Sequence, residues 1–209
     1  LGISTVYQEI TLCPNLSVAE NMYIGRTKGF MQNWKSMNEG ANRILKSLDI
    51  PTDASEQLAN CSIAVQQMVA IARAVDMDCK VLILDEPTSS LDEQEVEKLF
   101  KMMRQLKAQG ISLIYISHKM DEILRISDDI TVMRDGTWVA TEPAKNMTMD
   151  KIIKLMVGRE LGNQFGNVVF HQKVILLLST SCRWGARAGG GCSGSGNVPD
   201  TPFRPRCLR

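Results

Sequence analysis

The stretch VLILDEPTSSLD, residues 81–92, limits the possible folds more than any other part of the chain. Its first four residues are apolar without alternation, the pattern of a strand covered on both faces. They run straight into Asp85, Glu86, a proline and a polar turn. Residues 92–109 then place Val96, Leu99, Met103 and Leu106 on one helical face, and Gly110 is positioned to end that helix. Residues 111–116 predict the next strand, with His118 just beyond it. Strand, helix and strand in this order imply parallel pairing in an α/β sheet, whose ligand edge lies at the strand C-termini.

The rest of the chain extends this frame. Residues 3–7 are short, apolar and β-branched, which predicts a strand ending at Gln8. After Pro14, Ser17 and Glu20 form a capping box for a short helix, and Ser36 with Glu39 forms a second box before Ile44, Leu45 and Leu48. Pro51 is expected to stop that second helix, and Ser62 precedes a third with Met68, Val69, Ile71, Ala72 and Val75 at helical spacing. The run ITVMRDGTWVAT reads as two strands around Asp135-Gly136, a hairpin signal, and residues 148–157 read as a helix closed by Gly158. The expected organisation is one partial α/β domain over 1–165, with a helical subdomain at 8–75 and the core remainder at 76–165. Residues 166–209 are rich in Gly, Ser, Pro and Arg without a repeat and read as a disordered tail.

Charge gives no global case for a nucleic-acid partner. The net charge is +1, and six of the 24 Lys/Arg but only one of the 23 Asp/Glu fall in residues 167–209, so the main body is mildly acidic. The six cysteines form no CxxC pair and only two histidines accompany them, which predicts reduced thiols of a cytosolic protein rather than a zinc site. The longest apolar run of the tail, residues 174–178, is far short of the roughly 20 residues a membrane span requires. The chain opens on Leu1 without a signal-peptide pattern, which reads as a start cut into a longer protein.

Adjacent acids at a strand end suit nucleotide hydrolysis. A hard Mg²⁺ ion takes oxygen ligands, and an attacking water needs a carboxylate to orient it or accept its proton. Asp85 fits the first task and Glu86 the second. An acidic strand end facing solvent is the alternative for these residues alone.

Several blocks in order carry a resemblance: VYQEITLCPNLSVAENMYIGR, CSIAVQQMVAIARA, VLILDEPTSSLD, LIYISHKMDEI, VMRDGTWVA and IKLMVGREL. Together they resemble the ATP-binding domain of ABC transporters, most closely the first ATPase half of bacterial monosaccharide importers of the ribose, galactose, xylose and arabinose type. The resemblance implies a P-loop NTPase fold binding ATP and Mg²⁺. It makes Gln8 the Q-loop glutamine, reaching toward metal and attacking water, Asp85 the Walker B acid, Glu86 the catalytic base and His118 the switch histidine on the γ-phosphate. It implies nucleotide contacts for Ser62, Ala64 and Gln66, at a signature segment that departs from LSGGQ, where Ala64 adds a Cβ in place of a glycine. Asp92 carries an implied contact to the partner ATPase domain and, independently, a capping box with Glu95. The implied partners are membrane permease subunits, through them a sugar-binding protein, and a second ATPase domain; no specific nucleic acid is implied. The implied location is peripheral, on the cytoplasmic face of the inner membrane.

No GxxxxGK[ST] string, the loop that wraps phosphates in backbone N–H groups, occurs in the 209 residues. In the family that loop and its strand lie upstream of the Q-loop, so the expectation is a truncated chain without ATPase activity, with strand edges left unpaired and a tendency to aggregate. The loss of acidic residues after MVGREL further suggests translation out of frame. A second reading is an inactive ABC-like remnant serving as a binding or regulatory module. A third, a soluble ATPase of DNA repair or translation, would call for a coiled-coil insertion or a basic linker, and neither is visible.

Overall fold

The computed structural model describes residues 2–9, 11–26 and 34–157, together with a strand at residues 174–178. Strand β1 spans Ile3–Val6, β2 Val81–Asp85, β3 Ser112–Ser117, β4 Asp129–Arg134, β5 Thr137–Pro143 and β6 Val174–Leu178. They form one sheet in the order β1-β2-β3-β6-β4-β5. The β1–β2 and β2–β3 pairs are parallel, whereas β6 is antiparallel to both β3 and β4, and β5 is antiparallel to β4. It follows that β1, β2, β3 and β4 run one way and β5 and β6 the other.

The helices are α1 Val18–Tyr23, α2 Trp34–Ser47, α3 Ile63–Asp76, α4 Glu93–Ala108, α5 Met120–Ile126 and α6 Met149–Val157. The first three pack on one another, and α3 also reaches β1 and α4. The capping box at α1 forms as expected, with the Ser17 hydroxyl accepting from the Glu20 amide and the Glu20 carboxylate accepting from the Ser17 amide. The expected second box does not open α2, because the helix already begins at Trp34 and Ser36 lies inside it. Nor does Pro51 end α2: the helix stops at Ser47, and Asp49 turns the chain at a φ of 58°.

The central layer is apolar because β2 and β3 are covered. Leu82, Leu84, Leu113 and Tyr115 are fully buried, and α4 lays Leu99, Phe100, Met103 and Leu106 into the same core. Phe100 meets Tyr115 edge to face, with ring centroids 6.2 Å apart. The β4–β5 hairpin closes on Asp135 and Gly136 at φ 51° and 75°, the doubly left-handed turn that matches strand twist.

Two expectations give way at the other end of the chain. Residues 174–178, placed in the disordered tail, form β6. That strand sits between β3 and β4, pairing Ser117 and Val132 with Val174, so the inner edges of β3 and β4 are not left open as expected. The physical reason is that two strands with unused backbone groups facing each other provide a slot, and an uninterrupted apolar run can satisfy both sides of it. Gly158 and the remainder of the expected tail lie outside the described residues.

Candidate active site

Parallel pairing aligns the strand ends. Val6 is in register with Leu84, and Asp85 with Ile116. Gln8 follows Val6 by two residues, as Glu86 follows Leu84, while His118 stands two residues after Ile116. All four candidates therefore leave the sheet at its C-terminal edge. The Glu86 amide donates to the Ile116 carbonyl at 2.9 Å, which carries the ladder one residue past β2. At that point Glu86 adopts a φ of +46°. A left-handed conformation costs a non-glycine residue of order 1–2 kcal/mol, and it turns the chain sharply out of the strand.

Glu86 and His118 meet there. The Nδ1 atom of His118 lies 3.1 Å from Glu86 Oε2, with the Glu86 side chain 12% exposed and the imidazole 50% exposed. The imidazole thus remains half open to solvent at the edge while the carboxylate it meets is nearly buried. Asp85 is half-buried as the last residue of β2. Among the described residues no three His, Cys, Asp or Glu cluster as a metal-binding set. A magnesium site completed by substrate phosphates and water does not need one, since Mg²⁺ at such sites takes one or two carboxylates. Asp85, at the edge beside Glu86, fits that donor set.

Ser62, Ala64 and Gln66 stand elsewhere, at the start of α3 within the helical group. The Ser62 hydroxyl accepts from the Val65 amide at 3.3 Å, Ala64 is buried, and the Gln66 side chain donates to the Cys61 carbonyl at 3.0 Å. These bonds are local and cap the helix. Asp92 likewise caps α4, accepting from the Glu95 amide at 2.8 Å, while the Glu95 carboxylate accepts from the Asp92 amide at 3.2 Å.

Behind the acid–histidine pair lies a buried polar group absent from the sequence reading. Glu122 Oε2 accepts from the Thr88 hydroxyl at 2.6 Å and from the Tyr115 hydroxyl at 2.5 Å. Lys119 Nζ lies 3.2 Å from Glu122 Oε1 and donates to the Thr88 carbonyl at 2.8 Å. Burial, reinforced by the bond to Glu122, holds the Tyr115 phenol well above its ordinary value, so it remains a proton donor. The available signal was Tyr115 at a buried phase of an otherwise aliphatic strand, because a buried phenol needs a partner.

Comparison with known proteins agrees with this architecture. Residues 1–89 match the family model described as ABC transporter. The chain is 49% identical over 166 residues to the galactose/methyl galactoside import ATP-binding protein MglA of Clostridium perfringens, covering 78% of this chain and 32% of that protein. It is 44% identical over 178 residues to the protein of the same name from Mannheimia succiniciproducens, covering 84% and 35%. The chain thus spans about a third of the length of the curated relatives it matches. Among solved structures, the ADP conformation of an ATP-binding cassette of an ABC transporter aligns with a TM-score of 0.63 at 25% identity, covering 76% of this chain and 69% of that one. A dimeric post-hydrolysis cassette bound to ADP and Pi aligns with a TM-score of 0.57 at 26% identity, covering 68% and 62%. With the strand-end acids, the ordered blocks and these matches in hand, the chain belongs to the ATP-binding cassette family of ABC transporters.

Proposed function

We propose that the chain is part of an ATPase that energises import of a simple sugar, acting with membrane permease subunits and, through them, a sugar-binding protein. Its place is the cytoplasmic side of the membrane, paired with a second ATPase domain that meets Asp92 and the Ser62–Ala64–Gln66 segment. The names of the import proteins it resembles support the substrate class. The observation that carries the chemistry is the 3.1 Å contact between His118 and Glu86 at the sheet edge, one residue beyond Asp85.

Bound with a nucleoside triphosphate, magnesium would supply neutralisation of the charge on the transferring phosphoryl group. Asp85 is the side chain to hold it, with Gln8 at the neighbouring strand end as a further oxygen donor. Glu86 orients water and accepts its proton. A carboxylate 3.1 Å from Nδ1 favours the tautomer with its proton on that nitrogen, and an imidazole in that form offers only an acceptor at Nε2. Donation from Nε2 to a phosphate oxygen therefore requires either a second proton on the ring or release of Glu86. Release would also free the carboxylate for water, whereas a second ring proton would let the imidazole bridge Glu86 and the phosphate.

The test is turnover in two proteins. The 209-residue chain, which carries no GxxxxGK[ST] string, is expected to release no phosphate from MgATP above background. A chimera preceded by the corresponding upstream segment of the Clostridium perfringens relative is expected to do so, and to lose it on Glu86→Gln. Turnover by the 209-residue chain that Glu86→Gln abolishes, or a folded chimera that never turns over, would reject the proposal.

A further inference from the structure

The backbone ladder that aligns Glu86 with β3 ends at the bond from the Glu86 amide to Ile116. His118 lies beyond it, and so does the turn from Glu86 to Leu91, whose internal bonds are long: Ser89 amide to Glu86 carbonyl and Leu91 amide to Thr88 carbonyl, both 3.3 Å. Something else must hold the two loops in register. The polar group behind them does so by position: Thr88 belongs to the loop after β2, Lys119 and Glu122 to the loop and helix after β3, and Tyr115 stands beneath on β3 itself.

From this geometry we infer that Glu122 is a positioning residue which, by clamping Thr88, Tyr115 and Lys119, sets the contact between His118 and Glu86. Thr88 and Tyr115 are 1% and 0% exposed and Glu122 is 8% exposed, so water does not replace the bonds when one is removed. The clamp is two-sided. One Glu122 oxygen takes both hydroxyls, and the other faces Lys119, which returns to the carbonyl of Thr88. Loosening any link lets the 86–91 turn move relative to His118 without breaking the sheet. The inference rests on reading Glu86 and His118 as the working pair, but its test needs no nucleotide.

The readout is the tautomer of His118 in the 209-residue chain, followed by ¹⁵N-detected imidazole NMR. Only one other histidine, His171, is present, so assignment needs a single His171→Asn control. In the parent chain His118 is expected in the Nδ1–H form, and Glu86→Ala, removing the acceptor, is expected to abolish that preference. Thr88→Val keeps volume and removes one hydroxyl; it is expected to lose the Nδ1–H preference while the chain still unfolds cooperatively. Thr88→Ser, which restores the hydroxyl, is expected to regain it, and Glu122→Ala to lose it. Retention of the parent tautomer in folded Thr88→Val overturns the inference, whether or not Glu122→Ala folds. So does loss in Thr88→Ser equal to that in Thr88→Val, since shape and not the hydroxyl would then be the cause. Absence of turnover in the chimera described above bears on the ATPase reading and leaves this result unchanged.

Discussion

Asn21 offers a quantitative test of how the segment after Gln8 is anchored. It is 1% exposed, and its side chain staples the loop at Cys13 to the first turn of α1. Its Oδ1 accepts from the Cys13 amide at 2.7 Å, and its Nδ2 donates to the carbonyls of Cys13 at 2.9 Å and Ser17 at 3.0 Å. Asn21→Ala removes these three bonds and a longer one from Nδ2 to the Leu16 carbonyl at 3.4 Å, which keeps the Leu58 amide as a donor. The Cys13 and Ser17 carbonyls keep other donors, the Leu16 and Asn21 amides, so the orphaned group is the Cys13 N–H. One unsatisfied donor and two lost bonds sum to about 2–4 kcal/mol. Asn21→Asp is isosteric yet worse at neutral pH, because its second oxygen turns a buried charge toward two carbonyls; the expected loss is about 3–5 kcal/mol. That repulsion raises the carboxyl's folded pKa above its unfolded value. A group so raised contributes stability below the unfolded pKa and loses it as pH rises through the folded one. Hence Asn21→Asp should fall below Asn21→Ala at pH 7 and recover relative to it near pH 4. Urea unfolding followed by far-ultraviolet circular dichroism at both pH values measures the differences. A loss under about 0.5 kcal/mol for Asn21→Ala, the scale of ordinary surface substitutions, would refute the staple. A gap between the two variants that does not change with pH would refute the charge argument.

Other consequences can be checked on the same chain. Glu86 sits at φ +46°, so Glu86→Gly is expected to be more stable than Glu86→Ala by about 1 kcal/mol, read as a shift in the urea midpoint; the reverse order would deny the strain. The Glu20 carboxyl is held below its ordinary value by the Ser17 amide and hydroxyl, so its contribution is present above pH 4.5 and lost as pH falls below it. The stability difference between the parent chain and Glu20→Gln should therefore shrink through that window in acid titrations. Asp92→Ala is expected to cost about 1 kcal/mol and Asp92→Asn only a few tenths, because both Asp and Asn cap helices well; thermal melts separate the two.

What could be read from the sequence was whatever depends on near neighbours. The continuous apolar runs at β2 and β3 and the Asp135–Gly136 turn each contain their own cause, and so does the adjacency of strand ends that brings Glu86 to His118. The failures have equally local reasons. Helix α5 is seven residues long and its N-cap, Lys119, makes no side-chain capping bond, so the usual opening signal is missing. Ser36 and Glu39 have capping-box spacing, but Trp34 already lies in the helix and the spacing is incidental. The partners of β6 lie more than 40 residues away in the sequence, at β3 and β4, and no window along the chain contains them. Of the Thr88–Tyr115–Glu122 group only Tyr115 stood out, as a phenol in an aliphatic strand; which residues would meet it is decided by the fold alone.

The direction of β6 bears on what the sheet edge can do. Because β6 is antiparallel to β3 and β4, its first residue, Val174, lies at their C-terminal ends, level with Ser117 and Val132. A phosphate cradle needs consecutive backbone N–H groups pointing outward, typically from a loop that leaves a strand and enters a helix. A strand running the other way brings to this edge its own beginning, in register with both neighbours. Among the described residues, then, β6 satisfies the facing edges of β3 and β4 without adding an anion-binding turn beside Asp85, Glu86 and His118. Pairing the facing edges of two strands and holding a triphosphate are separate tasks, and β6 performs the first. The expectation that the acids and histidine remain idle in the 209-residue chain rests on the missing GxxxxGK[ST] string, and β6 itself does not substitute for it.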